Sequence, residues 1–361
     1  MARARDLLAL LLDTPREAGT PAAAHARRLV TDHLAGLGFT VREQRFTFHP
    51  SSLNAMPMFG AGLGWLTLLQ IPLCTVPGAP RWAALAAWLA GLLALAGLVR
   101  GTALGASSLG GGVRTDANLI ATRGAAPVRR WFVAHLDTKA QGHSLAGRAV
   151  GAVVALLALL ALTVLALLRL RGPVDSDLMA GVAILVLVAS GLAARGALRG
   201  ASQGARDNGT GLLAALVAAE AATGEGIGVL ITGAEEFGLV GARAFAREHG
   251  PQLLGVEVIN FDIVDDQGAL YVVSHSVAGA RLADREAARL ESATGIVVLR
   301  RRQPLWAFAD SQPLSRAGAA AVTVARLDWA TLRRVHTPRD TPAGMAFETA
   351  ASVGRLLAET I

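Results

Sequence analysis

The sequence contains a single cysteine and few charged residues. Cys74 has no second cysteine with which to pair, so an internal disulfide is excluded, and a thiol in an apolar run is ordinarily a small buried hydrophobe. Charged residues make up 17% of the 361 residues and hydrophobic residues 53%, with a mean hydropathy of +0.45. This composition is too apolar for an average soluble enzyme. We therefore expect part of the chain to lie in a lipid bilayer.

Acidic residues are fewer than basic ones, and the formal net charge is +7. The basic residues are nearly all arginine and are scattered along the chain, which argues against a nucleic-acid partner. Arginines that flank membrane helices and offset acidic headgroups explain the charge better. The N-terminal apolar run at residues 7–12 is too short for the core of a signal peptide, so we predict no cleaved signal.

Long uncharged apolar stretches occur four times, at residues 57–77, 82–99, 149–168 and 178–194. At a rise of ~1.5 Å per residue, each helix would cover close to the ~30 Å hydrocarbon core of a bilayer. Short polar turns join them in pairs, which predicts about four transmembrane helices in two hairpins, 57–99 and 149–198. Soluble core helices are the alternative, but residues 149–168 show no polar face. No charge lies within any stretch, which disfavours a transporter.

Each hairpin would return the chain to the side of the membrane that it left. Residues 1–56, 100–148 and 199–361 are therefore predicted to form one discontinuous domain on one side. The positive-inside tendency places that domain in the cytoplasm. The basic residues near its helix ends are Arg42, Arg45, Arg100, Lys139, Arg148, Arg195 and Arg199, against Arg81, Arg169 and Arg171 in the opposite turns.

Helical and strand patterns alternate within this domain. A helix at 21–38 precedes an alternating strand at 39–48, and later helices at 211–222 and 239–249 alternate with strands at 227–232, 255–262 and 269–274. Such alternation is typical of an α/β fold. We predict a mixed, largely parallel sheet with helices on both faces.

Polar residues with metal-binding and acid–base chemistry gather where the predicted strands end. The segment WFVAHLDT supplies His135 and, two residues later, Asp137, which can share a face and orient the imidazole. The turn GARDNGTG contains Asp207, which could bridge two metals or simply cap the following helix. The strand VLITGA leads to the pair Glu235 and Glu236, of which one can bind a metal while the other takes a proton from water.

Two further residues complete this set. Asp262 ends the strand VEVINFD, and His336 lies in the turn segment VHTPRDT. Either residue alone could be an ordinary loop residue. Together with the strand-end residues they provide two imidazoles and several carboxylates, a mixed nitrogen and oxygen set that suits zinc and also admits other divalent metals.

By motif and order, these segments resemble the zinc-dependent aminopeptidases of the M28 type, a family that includes carboxypeptidase and glutaminyl cyclase relatives. The matching segments are AHLD, GARDNGTG, GAEEFGLVGA, NFD and VHTPRDT, and ADSQPLSRAGAAAV from Ala309 resembles the family segment before the last strand. The resemblance covers about residues 20–55 and 115–361. The two apolar hairpins are departures from the family pattern.

The resemblance implies two zinc ions and a role for each matching residue. The ligands would be His135, Asp207 and Asp262 for one ion and Asp207, Glu236 and His336 for the other. Glu235 would be the general base, and Asp137 would orient His135. The expected function is a membrane-bound exopeptidase, in the first place an aminopeptidase, acting on a peptide or small amide substrate.

Two alternatives remain open at this point. A glutaminyl-cyclase-like acyltransferase would keep the fold, and those relatives work with a single zinc. A membrane binding protein that retains an inactive peptidase fold is the other alternative, although Glu235 and every implied ligand are present. The oligomeric state is not indicated by the sequence.

Overall fold

The chain leaves one folding unit and returns to it twice. In a computed structural model, which describes residues 2–50, 56–103, 112–193, 198–303 and 308–359, two compact units are present. Unit 1 comprises Met1–Phe48, Val113–Ala140 and Ala201–Ile361, and unit 2 comprises His49–Gly112 and Gln141–Gly200.

An eight-stranded sheet forms the centre of unit 1. Its strands are β1 (Thr40–Phe48), β2 (Arg114–Thr122), β3 (Arg130–His135), β4 (Ile227–Thr232), β5 (Glu257–Val264), β6 (Ala269–Ser274), β7 (Val298–Arg302) and β8 (Ala320–Leu327). Their order is β1-β2-β4-β3-β5-β8-β6-β7. The central strands β4, β3, β5 and β8 are parallel, whereas β1, β2 and β6 each pair antiparallel to a neighbour. The predicted mixed α/β fold is confirmed.

The described residues of the two units contain twelve α-helices. They are α1 (Ala2–Leu12), α2 (Pro21–Gly36), α3 (Met56–Thr75), α4 (Ala83–Ala103), α5 (Leu145–Leu168), α6 (Ser176–Ala193), α7 (Gly211–Ala221), α8 (Val240–His249), α9 (Val277–Thr294), α10 (Ser311–Arg316), α11 (Trp329–Leu332) and α12 (Glu348–Ala358). Local signals set several starts. For example, Thr20 accepts a hydrogen bond from the Ala23 amide and precedes Pro21 at the first position of α2.

The sheet is covered on both faces, as strand β3 demonstrates. All six of its residues are buried. Phe132 and Ala134 belong to a core shared with α1, α2, α7, α9 and α12, while Trp131 and Val133 belong to a second core with residues of α8 and α10. Because side chains alternate along a strand, a strand buried on both faces reads as a continuous apolar run.

Helices α3 to α6 all belong to unit 2. Trp88 is buried in their shared core, and its indole Nε1 donates a hydrogen bond of 2.9 Å to Thr163 Oγ1. Arg169 follows α5 and is also buried, yet its guanidinium donates to the carbonyl oxygens of Leu73, Val76 and Ala79 at the end of α3. These bonds satisfy carbonyls in the last turn of α3 and in the turn that follows it.

The prediction of four membrane-spanning helices is wrong. Of the described residues, one helix, α5 with 24 residues, is long and apolar enough to cross a bilayer. The described apolar segments of the other three helices are shorter, at 10–17 residues, and do not meet this criterion: Gly60–Thr75 of α3, Ala83–Leu98 of α4 and Ser176–Leu192 of α6. The predicted end of the last span, Ala194, lies outside the described residues.

Helix α7 is tightly packed within unit 1. Residues 211–219 are buried throughout, and α7 packs against α12 at Gly354. A Cβ at Gly354 would lie 2.2 Å from the carbonyl oxygen of Ala214, which is a backbone atom and cannot rotate away. Glycine is therefore required at this crossing.

We expect Gly354→Ala to lower the free energy of unfolding by about 2 kcal/mol or more, because the added methyl group forces two packed helices apart. Chemical unfolding of the full chain measures this effect. Gly36→Ala is the matched control: Gly36 is an exposed helical glycine with open space around its Cβ position, so alanine there should be neutral or stabilise by up to about 1 kcal/mol. Equal stabilities for the two variants would contradict the packing argument.

Candidate metal centre

The carboxyl ends of three neighbouring parallel strands meet at one edge of the sheet. His135 is the last residue of β3, and Glu235 and Glu236 follow the end of β4. Asp262 lies in β5, where the pairing register with β8 shifts between Phe261 and Val264. Such irregularities bend a strand and redirect a side chain, and they are common beside active sites. The strand ends thus bring four of the predicted site residues to one edge.

Asp207 lies in a buried turn, residues 205–210, that leads into α7. The neighbouring Asn208 holds this turn against β5: its Nδ2 donates to Phe261 O at 2.9 Å, and its Oδ1 accepts from the Ile263 amide at 3.2 Å. The same oxygen accepts from the Gly211 amide at the start of α7. The peptide bond between Asp207 and Asn208 is cis. One amide side chain therefore fixes the Asp207 turn to both the strand and the helix.

Two groups of potential ligands share the carboxylate of Asp207. In the first, His135 Nε2 lies 3.1 Å from Asp207 Oδ1 and 3.7 Å from Asp262 Oδ1. In the second, His336 Nε2 lies 3.0 Å from both Asp207 Oδ2 and Glu236 Oε1. Within each group, the candidate ligand atoms all lie within 4.8 Å of one another. The structure thus brings together all five residues predicted as metal ligands.

The polar atoms in the second group fit a metal ion. His336 Nε2 and Glu236 Oε1 are buried, and neither makes a hydrogen bond within the described part of the chain. Buried polar atoms normally have such partners, so an orphaned pair at close range calls for an explanation. Lone pairs that converge from one imidazole and two carboxylates are the donor set that zinc and similar divalent metals bind.

Asp137 supports the site differently from the sequence expectation. His135 Nδ1 donates its hydrogen bond to the backbone carbonyl of Asp137 at 3.0 Å, while the carboxylate oxygen Oδ1 is 3.7 Å away. The carboxylate instead accepts the amides of Glu235 at 3.0 Å and Glu236 at 3.2 Å. Asp137 therefore positions the imidazole through its backbone and both glutamates through its side chain. A proton on Nδ1 leaves Nε2 free for a metal.

Asp340 has the same role for the Asp207 turn, and sequence reasoning missed it. Its two oxygens accept the amides of Arg206 at 2.9 Å and Asp207 at 3.1 Å. Burial raises the pKa of Asp340 to about 6. The only signal was its presence in the segment VHTPRDT, four residues after His336.

Arg16 was also missed, and it joins two of the site segments. The side chain is fully buried and donates to Leu136 O at 3.0 Å, beside His135, and to Gly204 O at 3.2 Å, just before the Asp207 turn. It also donates to the carbonyls of Leu11 and Gln203. An arginine in the short segment TPREAG has no pattern that would reveal this contact.

The C-terminal half of the chain matches a protein-family model. The model of peptidase family M28 matches residues 177–361, slightly more than half of the chain. The chain belongs to peptidase family M28. Its predicted nature as a metallopeptidase is thereby confirmed. No curated protein matches the sequence significantly.

Solved structures with the same fold include both peptidases and cyclases. A zinc aminopeptidase from Bacillus subtilis aligns with a TM-score of 0.59 at 16% identity, covering 99% of this chain and 93% of that one. A leucine aminopeptidase precursor from Bacteroides thetaiotaomicron gives 0.58 at 13% identity, covering 100% and 96%. A glutaminyl cyclase from Fimbriiglobus ruber gives 0.55 at 16% identity, covering 99% and 93%. At these identities the likeness establishes the fold alone.

The candidate site contains buried ionisable groups with shifted pKa values and residues with unusual backbone conformations. Burial, with the charges of Glu236, Asp310 and Asp262 around it, holds the pKa of Glu235 well above its ordinary range. Burial likewise raises the pKa of Asp310 to about 7. Ala234, Ile263 and His336 each have a positive φ, between 51° and 64°. Backbone strain of this kind persists where surrounding structure holds it, frequently at functional sites.

The raised pKa of Asp310 predicts a pH-dependent stability for the metal-free protein. The folded state keeps the Asp310 proton up to about pH 7, compared with 3.8 for the ordinary carboxyl. This contribution is fully present below pH 3.8 and is lost as the pH rises through 7. Asp310→Asn keeps an oxygen to accept from Thr232 but never ionises. We expect its stability advantage over the parent to grow by about 4 kcal/mol between pH 4 and 8 in chemical unfolding with a chelator present.

Asp328→Asn is the control for this pH series. Asp328 caps α11, and the hydrogen bond from the Thr331 amide keeps the pKa of this nearly exposed carboxyl low. Its contribution is lost only as the pH falls below the ordinary range. The difference between this variant and the parent should therefore stay constant from pH 5 to 8. A constant difference for Asp310→Asn as well would disprove the assignment.

Proposed function

We propose that the chain is a membrane-bound di-zinc exopeptidase, and specifically an aminopeptidase that acts on peptides or small amides. The observation that carries the proposal is the carboxylate of Asp207, which offers one oxygen to each of two otherwise separate ligand groups. A shared carboxylate is what a two-metal hydrolase needs to hold its ions a few ångströms apart. The discontinuous peptidase domain would comprise residues 1–56, 100–148 and 199–361.

The proposed zinc ligands divide into two sets that share one residue. They are His135, Asp207 and Asp262 for one ion and Asp207, Glu236 and His336 for the other. Zinc bound there would polarise the scissile carbonyl and lower the pKa of the attacking water. The donor types and the unbonded atoms of Glu236 and His336 support this assignment.

Glu235 is the proposed general base. Its burial and the surrounding carboxylates raise its pKa above the ordinary range of a glutamate, which strengthens it as a proton acceptor. It would take the proton from the attacking water and pass it to the leaving amine. Because Asp137 accepts the Glu235 amide, the base is held in a fixed position beside the metal ligand Glu236.

An aminopeptidase is the preferred form of exopeptidase because the family and the named aminopeptidase structures share this fold. Glutaminyl cyclases share it as well. The two functions differ in the number of metals that they are expected to need, so a metal count separates them. The activity assay should also include a glutaminyl peptide next to the aminoacyl reporter, because a cyclase would act on the former.

We expect the purified chain and Glu235→Gln each to bind two zinc ions, while the substitution lowers kcat by about a thousandfold, since it removes proton transfer and keeps the ligands. Zinc content per chain and cleavage of an aminoacyl reporter measure this. Glu225→Gln, in an exposed turn of the same unit, should retain full activity.

Other outcomes of that experiment would replace the proposal. One zinc with cyclisation of the glutaminyl peptide would indicate the acyltransferase. Two zinc ions with no activity toward any peptide would indicate a binding protein with a retained fold. Absence of bound zinc together with absence of activity would remove the catalytic proposal.

The membrane part of the proposal rests on the surface of unit 2. Helix α5 buries one apolar face, but its other face is also apolar and exposed, with Val153, Leu156, Leu157, Leu160 and Val164 at helical spacing. A continuous stripe of exposed apolar side chains along a helix marks a membrane or protein interface. We propose that α5 crosses the bilayer, that segments 57–99 and 149–198 form the membrane-associated part of the chain, and that the peptidase domain faces the cytoplasm on the arginine bias of the sequence.

The full chain should stay in the membrane pellet after an alkaline wash. The double substitution Leu157→Asp with Leu160→Asp places two charges on residues that are 60% and 56% exposed, and it should release the protein or reduce its recovery in the pellet, because charges are costly in hydrocarbon. Leu254→Asp, at a residue of unit 1 that is 70% exposed, should remain in the pellet like the parent. Recovery of the parent in the supernatant would contradict the membrane assignment.

A further inference from the structure

The chain has one lysine, and it lies at the candidate metal centre. Of its 34 lysines and arginines, Lys139 is the only lysine. It follows His135 by four residues, is 8% exposed, and places its ammonium nitrogen 2.6 Å from Glu236 Oε2. Nζ also donates to the backbone carbonyl of Glu236 at 3.5 Å. Lysine differs from arginine in carrying a compact point charge on a flexible stem.

Lys139 separates the two oxygens of Glu236. Oε1 faces the second ligand group, 3.0 Å from His336 Nε2, whereas Oε2 is taken by the ammonium. The carboxylate therefore has one oxygen available for a metal, and the charge on that oxygen is shared with a cation. A ligand that is paired in this way donates less strongly to a metal than a free carboxylate does.

The composition of the two ligand groups does not distinguish them. Each has one imidazole and two carboxylates, and Asp207 is common to both. Their surroundings differ in charge. Around the first group, the carboxylates of Glu235 and Asp137 interact with His135. Arg16 also lies near this group, but it donates to the backbone carbonyls of Leu136 and Gly204 and not to a ligand carboxylate. Beside the second group lies the ammonium of Lys139.

We propose, building on the proposed two-metal function, that Lys139 makes the two metal positions unequal by weakening the one formed by Asp207, Glu236 and His336. Two effects act in the same direction. When the position is empty, the ammonium stabilises the ionised Glu236. When the position is filled, the ammonium repels the metal cation across a short, poorly screened distance. Zinc therefore fills the position of His135 and Asp262 first, and the chain passes through a one-zinc state.

Calorimetric titration of the metal-free full chain in detergent, with zinc alone, tests this inference without relying on activity. The parent should bind two ions in two resolved steps. In Lys139→Met the weaker step should tighten by about tenfold or more, since removal of a buried neighbouring charge is worth at least ~1.4 kcal/mol, which is tenfold in binding. The tighter step should change by much less, so the two steps should converge.

Two histidine substitutions assign the steps to positions. In His336→Ala only the tighter step should remain, and adding Lys139→Met should leave it unchanged. In His135→Ala only the weaker step should remain, and adding Lys139→Met should tighten it. A purely structural role for Lys139 would weaken both steps together.

Two further variants separate local charge from net charge. Lys139→Arg keeps a cation and should keep the two steps apart. Arg300→Met removes one positive charge from β7, where Arg300 pairs with Glu291, and should change neither step. A ratio of the two dissociation constants that stays within about twofold of the parent in Lys139→Met would overturn the inference. If the parent bound no zinc, the proposed function itself would fail, which is a different result from two equal steps.

Discussion

The carboxylate of Asp207 facing two imidazoles is the interaction around which unit 1 is organised. Each of its oxygens lies 3.0 to 3.1 Å from an imidazole nitrogen, so small movements of the turn would separate the two ligand groups. Several buried groups hold that turn: Asn208 ties it to β5 and α7, and Asp340 accepts its amides. Close packing of α7 at Gly354 extends the same constraint to the C-terminal helix.

Buried carboxylates serve two separate purposes at this site. Asp137 and Asp340 each accept hydrogen bonds from two successive backbone amides, and these bonds hold the loops in place. Glu236 and Asp262 offer oxygens to the candidate metal positions. A cluster of unpaired carboxylates would be costly to bury, and this division of roles reduces that cost because hydrogen bonds from backbone amides stabilise the supporting carboxylates. Two cations accompany these carboxylates: Lys139 pairs with Glu236, and Arg16 donates to the carbonyl of Leu136 beside His135.

The sequence predicted the strands that are bounded by clear turns and missed contacts that involve the backbone. Strands β4 and β6 have the predicted residues, whereas β5 begins two residues later than predicted, at Glu257, and continues past Asp262 to Val264, with a register shift after Phe261. His135, Glu236 and Asp262 could be found because they lie at or near the ends of recognisable strands, and Asp207 and His336 because their turn segments resemble those of the family. Arg16 and Asp340 could not, since they bind carbonyls and amides, which every residue carries. Four membrane spans were predicted because four runs lack charged residues, whereas in the described part of the chain only α5 is long and apolar enough to cross a bilayer.

The two proposed properties of this peptidase are physically separable. All candidate ligands, the base and their supporting residues belong to unit 1, and the exposed apolar stripe of α5 belongs to unit 2. Both excursions into unit 2 leave from loops, after Phe48 and after Ala140, and return to loops, so they interrupt no strand of the sheet. Long insertions at such points add only a slowly growing entropic cost. Zinc binding and membrane retention should therefore respond to different substitutions, and the failure of one property would leave the evidence for the other intact.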